Sequence, residues 1–382
     1  MKLTWLEKDF ISSDLFPPFQ VEKDEEYRGD LEKKYQILLQ QAVIAGADEN
    51  SCNLITDYSN RILAAYDDYF QSEIISCYNK VYDLVSEVAD NPLAVSQLNS
   101  SKAFSRNTGG EIQFFRGRTG DPSRSYTFDQ MVHLPRSKRT KCGVYRFSIP
   151  GNPGLYLCNS SYGCWIELGC PADNDFNVSP VLLDGSQKIL NLAVQMRQFK
   201  DLNDFEEDRV HCWLKLLMLM IATSYRINEK EREYKSEYLI SQAIMVACRT
   251  LNLDGVAYHS KRVSNVMFAN CAINLALFVD YKEGCEYSIA TDHLKIDDST
   301  NYALFDKLLP SLTYRAYELA SINTPLATNI GNYDIQHPYR ETRFYEFDCF
   351  LFSTWSDSHR KRAKGSIAWG IPEKANPSES SN

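Results

Sequence analysis

The chain has 382 residues, 44% hydrophobic and 24% charged, which excludes extended disorder, collagen-like repeats and a small disulfide scaffold and leaves room for two or three domains. Eleven cysteines without a CxxC pair, and an opening decapeptide with acidic residues and no apolar stretch, predict reduced thiols and a cytoplasmic location. The net charge of −9 lies wholly within residues 1–105, which hold 18 acidic and 9 basic residues, so this segment repels phosphate backbones and argues against direct nucleic-acid binding.

The first segment reads as helical. Leu31, Tyr35, Leu38, Leu39, Ala42 and Val43 form a 3.6-period stripe over 26–45, closed by Gly46. Ile55 to Val88 continues as helix until Asn91-Pro92 stops it. A Ser/Asn/Gly-rich stretch from Leu98 to Gly110 reads as a linker. Strands are then predicted at 112–118, 143–148, 154–158, 178–183, 255–259 and 274–279, with a late aromatic strand at 344–352. Helices are predicted from Ser160 through Glu167, over 204–224 and over 237–250. Leu214 to Ala222 is the most apolar run, but it is short and holds Lys215; it reads as a buried helix and not a membrane span. Three regions follow: an acidic helical domain at 1–105, a strand-rich domain at 106–370 and a disordered polar tail at 371–382. Strands outnumber the helices that could act as crossovers, which favours an α+β fold with a mixed, split sheet over a doubly wound one.

The chain has no GxGxxG, GxxxxGK[ST], HExxH or GxSxG. Its six histidines do not pair at zinc-ligand spacing, and Cys158, Cys164 and Cys170 read as buried thiols, so no metal is expected. Two basic runs, 136–141 and 359–364, are either solvated loops or phosphate-contacting surfaces.

Four segments stand out: 114–118 (FFRGR), 145–151 (YRFSIPG), 154–168 from LYLC into CWIEL, and 253–260 (LDGVAYHS). Arginines inside aromatic strand-like runs, and Glu167 inside an apolar one, must be paired or must face a ligand. Residue types alone leave an internal ion network and a binding site both open for Arg116, Arg146 and Glu167.

The set resembles the RES domain family, whose motifs run from a strand with paired arginines through R-[FY]-[SN]-x-P-G-x-P-x-LYL and a helix ending in Glu to DG-[IV]-x-Y-x-S. Arg116 to Arg118, Arg146 to Leu157, Ser160 to Glu167 and Asp254 to Ser260 match in order, and 237–242 (EYLISQ) resembles the family's EYxxPQ helix start. Ser241 and His259 stand where the family commonly has proline, and the long spacing between Glu167 and Ser260 implies insertions. The match covers about 111–280 and a closing strand near Phe344, in the manner of longer members with a helical N-terminal region.

The resemblance implies a sheet like that of ADP-ribosyltransferases and a toxin that cleaves the nicotinamide–ribose bond of NAD, passing ADP-ribose to phosphate, water or a protein. Arg116 and Arg146 would then grip the pyrophosphate in bidentate fashion, with Arg118 a second phosphate contact or a surface residue. Glu167 would stabilise the ribosyl oxocarbenium, and Tyr156 would offer a face to nicotinamide unless it is a core aromatic. Ser260 would orient ribose or an incoming phosphate, unless it is a turn hydroxyl. A helix-turn-helix antitoxin is a further implied partner, while the acidic N-terminal region reads as a docking or dimerisation bundle that would pair a second copy, or else as a cap on the NAD cleft or a trigger sensor. Alternatives are an ADP-ribosyltransferase acting on a protein target and a non-catalytic NAD-sensing interaction protein.

Overall fold

The computed structural model describes residues 13–23, 25–101, 103–104, 111–121, 123, 125–193, 206–228, 232–263, 270–309, 329–332 and 335–353. The basic run at 359–364, the polar tail and the 105–110 part of the expected linker lie outside them.

The chain enters through β1 (Phe19–Gln20) and three helices, α1 (Glu26–Ala45), α2 (Glu49–Phe70) and α3 (Ile74–Ala89). Gly46 closes α1 in the left-handed region at φ 89°, and Asp48 caps α2 by accepting from the Ser51 N–H. The single helix expected over 55–88 is two, because Ser72 turns the chain at φ 67° between them. The remaining elements follow in order: β2 (Val95–Gln97), β3 (Ile112–Thr119), α4 (Phe128–Met131), β4 (Gly154–Cys158), α5 (Ser161–Glu167), β5 (Phe176–Leu183), β6 (Lys188–Leu192), α6 (Glu207–Ala222), β7 (Tyr225–Arg226), α7 (Leu239–Thr250), β8 (Gly255–His259), β9 (Ile273–Phe278), β10 (Leu294–Ile296), β11 (Thr300–Asn301), α8 (Tyr302–Leu308), β12 (Asn329–Asn332), β13 (Ile335–Pro338) and α9 (Arg343–Ser353).

The fold is α+β, built on one mixed sheet ordered β10-β5-β3-β4-β9-β8-β6-β2, with β11 also on β5. Only β6 and β8 run parallel within it. The sheet is nearly split in the middle: β3 pairs with β5 over eight residues but with β4 only at Phe115–Cys158. One face of the β6-β8-β9 half packs Leu190, Leu192, Val256 and Ala276 against the helices. That core joins Leu31, Leu38, Ile62 and Val85 of α1–α3 to Trp213, Leu217, Ile240 and Ile244 of α6 and α7. The acidic N-terminal helices thus bury their apolar stripe in a core shared with the later helices and the sheet, and β2 closes the sheet edge on β6. The start of the expected linker is likewise packed: Leu98, Ala103 and Phe104 are buried, with Phe104 edge-on to Phe114.

Two expected strands are absent. Residues 143–148 form a turn, with Tyr145 and Ser148 bonded to each other through their backbones and the chain reversing again at Ile149–Asn152; no neighbouring strand is there to extend them. Residues 344–352 belong to α9. Phe347, Phe350 and Leu351 fall at helical spacing and pack with Phe305, Phe176 and Phe115. The alternation of aromatics that suggests a strand is a by-product of an aromatic-rich helix, an ambiguity short apolar runs carry.

Two polar contacts hold this arrangement. Arg146, 8% exposed, donates through Nη1 to the Thr223 carbonyl and through Nη2 to the Tyr225 carbonyl, both at 2.6 Å. It thereby ties the 145–152 turn to the end of α6, while the Tyr238 ring covers its guanidinium at 4.8 Å. Asp348 joins α9 to α5: its Oδ1 accepts from the Ser161 N–H at 3.1 Å and its Oδ2 from the Tyr339 hydroxyl.

Arg146→Lys keeps the charge but loses the fork, leaving one of two buried carbonyls unmet. The unfolding free energy should fall by about 1.5–3 kcal/mol in denaturant titration, and an unchanged value would show that the carbonyl bonds carry no stability. Burial pushes the Asp348 carboxyl up to about 7, so the native state favours its protonated form. That contribution is complete below about pH 4 and is lost as pH rises to 7. Asp348→Asn should therefore gain on wild type between about pH 4 and pH 7, by at most about 1.4 kcal/mol per pH unit; a difference in unfolding free energy that stays constant over that range would contradict it.

Candidate active site

The chemistry-bearing side chains gather where β4, β9 and β8 run side by side. Register places Tyr156 opposite Ala276, and Asn274 between Cys158 and Tyr258, so pleating turns Tyr156, Tyr258 and Asn274 to one face. The Tyr156 hydroxyl bonds Ser148 Oγ at 2.7 Å, which fixes the ring against the 145–152 turn. Gln242 of α7 secures that turn from behind, donating to the Tyr145 and Ser148 carbonyls at 3.2 Å each.

Helix α5 delivers Glu167. Ser160 caps it, accepting from the Gly163 N–H at 2.9 Å. A Cβ on Gly163 would fall 2.1 Å from Cys158 Sγ and 3.0 Å from the Cys271 carbonyl, so only glycine lets α5 lie this close to β4. At the helix end, Glu167 Oε1 accepts from Asn274 Nδ2 at 2.5 Å, and Oε2 lies 3.8 Å from Arg262 Nε. The carboxylate side chain stays about one-third exposed, at 34%. It is a fixed negative charge that solvent, or a ligand, can reach. Its field reaches Tyr258, whose phenol is pushed well above its ordinary value, chiefly by burial and then by Glu167.

Arg146 and Lys261 face the same region. Both charges act on one another, and Glu167 acts on Lys261 from the opposite sense. Lys261 is 5% exposed, and its Nζ has no hydrogen-bond partner among the described residues. Burial, reinforced by Arg146, pulls this amine well below its usual value. Its backbone is held by Arg226, which donates to the Lys261 and Val263 carbonyls.

The sequence-predicted residues therefore divide. Arg146, Tyr156 and Glu167 each act electrostatically on the buried phenol of Tyr258. Arg146, expected as a pyrophosphate ligand, has both Nη groups on backbone carbonyls and is a buried wall of the site. Arg116 reaches the site from the split: Nη1 donates to the Tyr156 carbonyl at 2.7 Å and Nε to the Met131 carbonyl at 3.2 Å. Arg118 points away, exposed, bonded to the Gln130 carbonyl and lying over the Tyr126 ring at 5.2 Å. Ser260 is buried, its Oγ accepting from the Arg262 N–H at 3.2 Å, which is turn geometry next to Lys261.

Asn274, Arg262, Tyr258 and Lys261 escaped the sequence reading as site residues. Asn274 left a signal, being the single polar residue of the buried strand INLALF. Lys261 and Arg262 directly follow Ser260 in the matched motif but are ordinary loop residues by type. Cys158 and Cys164 are buried thiols as expected, whereas Cys170 is exposed. The basic run at 136–141 is a short 3₁₀ turn, with Arg136 on the Lys282 carbonyl and Ser137 on Glu286. Among the described residues, no cluster of His, Cys, Asp or Glu is arranged to hold a metal ion, and no helix is long and apolar enough to cross a membrane.

Comparison with known proteins yields two likenesses. No known family profile matches the chain. Over 254 residues the chain is 28% identical to a Bacillus subtilis (strain 168) protein named "Putative toxin YopC", an alignment covering 63% of this chain and 56% of that protein. The chain thus spans little more than half the length of that relative. Among solved structures it is similar to a chain in the crystal structure of the M.tuberculosis MbcT-MbcA toxin-antitoxin complex, at 14% identity and a TM-score of 0.28, covering 59% of this chain and 96% of that one.

Proposed function

We propose that this chain is a toxin-like enzyme that breaks the nicotinamide–ribose bond of NAD. The observation that carries the reading is the Glu167 carboxylate, reachable from solvent, held by Asn274, loosely paired with Arg262, and set beside the Tyr156–Tyr258 face. Support comes also from the ordered motif match to RES domains and from the toxin name borne by the relative in Bacillus subtilis.

The chemistry follows from charge. Nicotinamide leaves as a neutral ring from a pyridinium cation, so its departure needs no general acid. The barrier lies in positive charge growing on the ribose. A pre-placed carboxylate lowers that barrier because its hydrogen bonds are already made and need not reorganise. Asn274 keeps Oε1 oriented, leaving Oε2, only loosely paired with Arg262, to face the sugar. The Tyr156 ring would stack on nicotinamide, worth about 0.5–1.5 kcal/mol beyond burial. Since both Nη groups of Arg146 are committed, Arg116 at the split and the 41%-exposed Arg262 become the guanidinium groups that meet the pyrophosphate.

Purified protein mixed with NAD should release nicotinamide. Glu167→Gln keeps the Asn274 contact in shape but removes the charge, and should slow release by about 100-fold or more with the thermal midpoint little changed. Folded wild-type protein that leaves NAD intact, with and without phosphate, would defeat the proposal. Should labelled NAD instead mark a protein in a lysate, the acceptor is a macromolecule.

A further inference from the structure

Arg226 of β7 brackets one of the charges at the site. Its Nε donates to the Lys261 carbonyl and its Nη2 to the Val263 carbonyl at 2.5 Å, so one planar fork holds the carbonyls on either side of Arg262. Arg262 needs such a hold. Its side chain is 41% exposed, and its Nε lies 3.8 Å from Glu167 Oε2. A half-exposed pair at that distance is too weak to fix a long, rotamer-rich side chain, so the backbone must aim it. The Arg262 N–H donates to Ser260 Oγ at 3.2 Å, within the same short turn, and this leaves Arg226 to tie that turn to the rest of the molecule.

Arg226 is in turn held by the start of the chain. β1 pairs with β7 in parallel, Phe19 opposite Tyr225 and Gln20 opposite Arg226, and the Phe19 N–H donates to the Ser224 carbonyl at 3.0 Å. The Tyr225 ring lies 5.2 Å from Phe19 and edge-on to Tyr27 of α1 at 4.7 Å, and its hydroxyl donates to Asp30 Oδ2 at 2.8 Å. Gln20 Nε2 adds a bond to Asn228 Oδ1 at 3.2 Å. The two residues of β7 thus touch β1 and α1 on one side, and on the other the turn that carries Arg262.

We infer that Arg226 is a positioning residue for the cleavage site, and that the N-terminal segment acts on the site through it: β1 and α1 hold β7, Arg226 of β7 holds the 261–263 turn, and the turn aims Arg262 at the pyrophosphate beside Glu167. The inference rests on the NAD-cleavage reading of the same site. It gives the acidic helical region a part in substrate binding without placing any of its side chains against the substrate. The coupling runs through a continuous series of hydrogen bonds and packed rings, the kind of physical network by which one region can bias another.

The test is a double-mutant cycle on the full chain, read as nicotinamide release over a range of NAD concentrations, with circular dichroism and the thermal midpoint checking the fold. Arg226→Met, which loses both carbonyl bonds, should raise KM about tenfold and leave kcat within about threefold, because a contact to the pyrophosphate serves ground state and transition state alike. Arg226→Lys, which reaches one carbonyl, should fall between Arg226→Met and wild type. On an Arg262→Ala background, Arg226→Met should change kcat/KM by less than about twofold, since the group it positions is gone; a general loss of structure would lower both backgrounds equally. Phe19→Ala, which empties the β1 contact on Tyr225, and Tyr225→Phe, which drops the Asp30 bond, should each raise KM by about threefold and should do nothing further on Arg262→Ala. A wild-type KM in folded Arg226→Met, or in Arg226→Lys should the first not fold, would overturn the inference, as would the same rise on both backgrounds. A wild-type KM in both Phe19→Ala and Tyr225→Phe would overturn the part played by the N-terminal segment. Each of these results leaves release by wild type, and so NAD cleavage, standing; no release by wild type would instead remove the cleavage reading, and this inference with it.

Discussion

Arg146 carries the mechanical link between the two halves of this molecule. Its planar fork meets the Thr223 carbonyl at the C-cap of α6 and the Tyr225 carbonyl of β7, and its face lies on the Tyr238 ring. Through these contacts the 145–152 turn is pinned to the helical layer. That turn in turn holds Tyr156 through Ser148, and is itself held by Gln242. A charge buried in this way is tolerated because each Nη group donates to a carbonyl and the Tyr238 ring covers the guanidinium, and its removal would leave those carbonyls without this partner.

Around that anchor the sheet supplies a face, and the narrow β3–β4 pairing brings Arg116 to its edge. With β3 and β4 sharing a single residue pair, Arg116 reaches past the sheet to the Tyr156 carbonyl. Helix α5 then places one carboxylate at the edge of the face, its approach permitted by Gly163 and its far end tied to α9 through Asp348. The result is an asymmetric field: a fixed negative charge that solvent reaches, and a more deeply buried wall of Arg146 and Lys261.

Much of the local structure was legible in the residues. Strands 154–158 and 255–259 were read to the residue because Gly or Pro bounds them, and the Ser160 cap marked the start of α5. The aspartate and glycine of the matched DG motif prove to be scaffolding: Asp254 bonds Lys188 through backbone and side chain, and Gly255 passes within Cβ-clash distance of the Ala276 carbonyl. The misread segments share one cause. At 143–148 and 344–352, short aromatic runs carry no period long enough to separate strand, turn and helix, and the outcome was settled by which surface lay opposite.

The sequence by itself determined what is local in origin: the stop at Gly46, the start of α5 near Ser160, and the confinement of the net charge to the first quarter of the chain. Only the tertiary structure decided what each charge does. Arg146 becomes a wall because carbonyls 77 and 79 residues away arrive beside it, Glu167 becomes a held carboxylate because Asn274 arrives from 107 residues on, and Lys261 Nζ is buried without a hydrogen-bond partner among the described residues. Hydrogen bonding and dielectric shielding depend on the sum of neighbours in space, and no spacing of letters along a chain contains that sum.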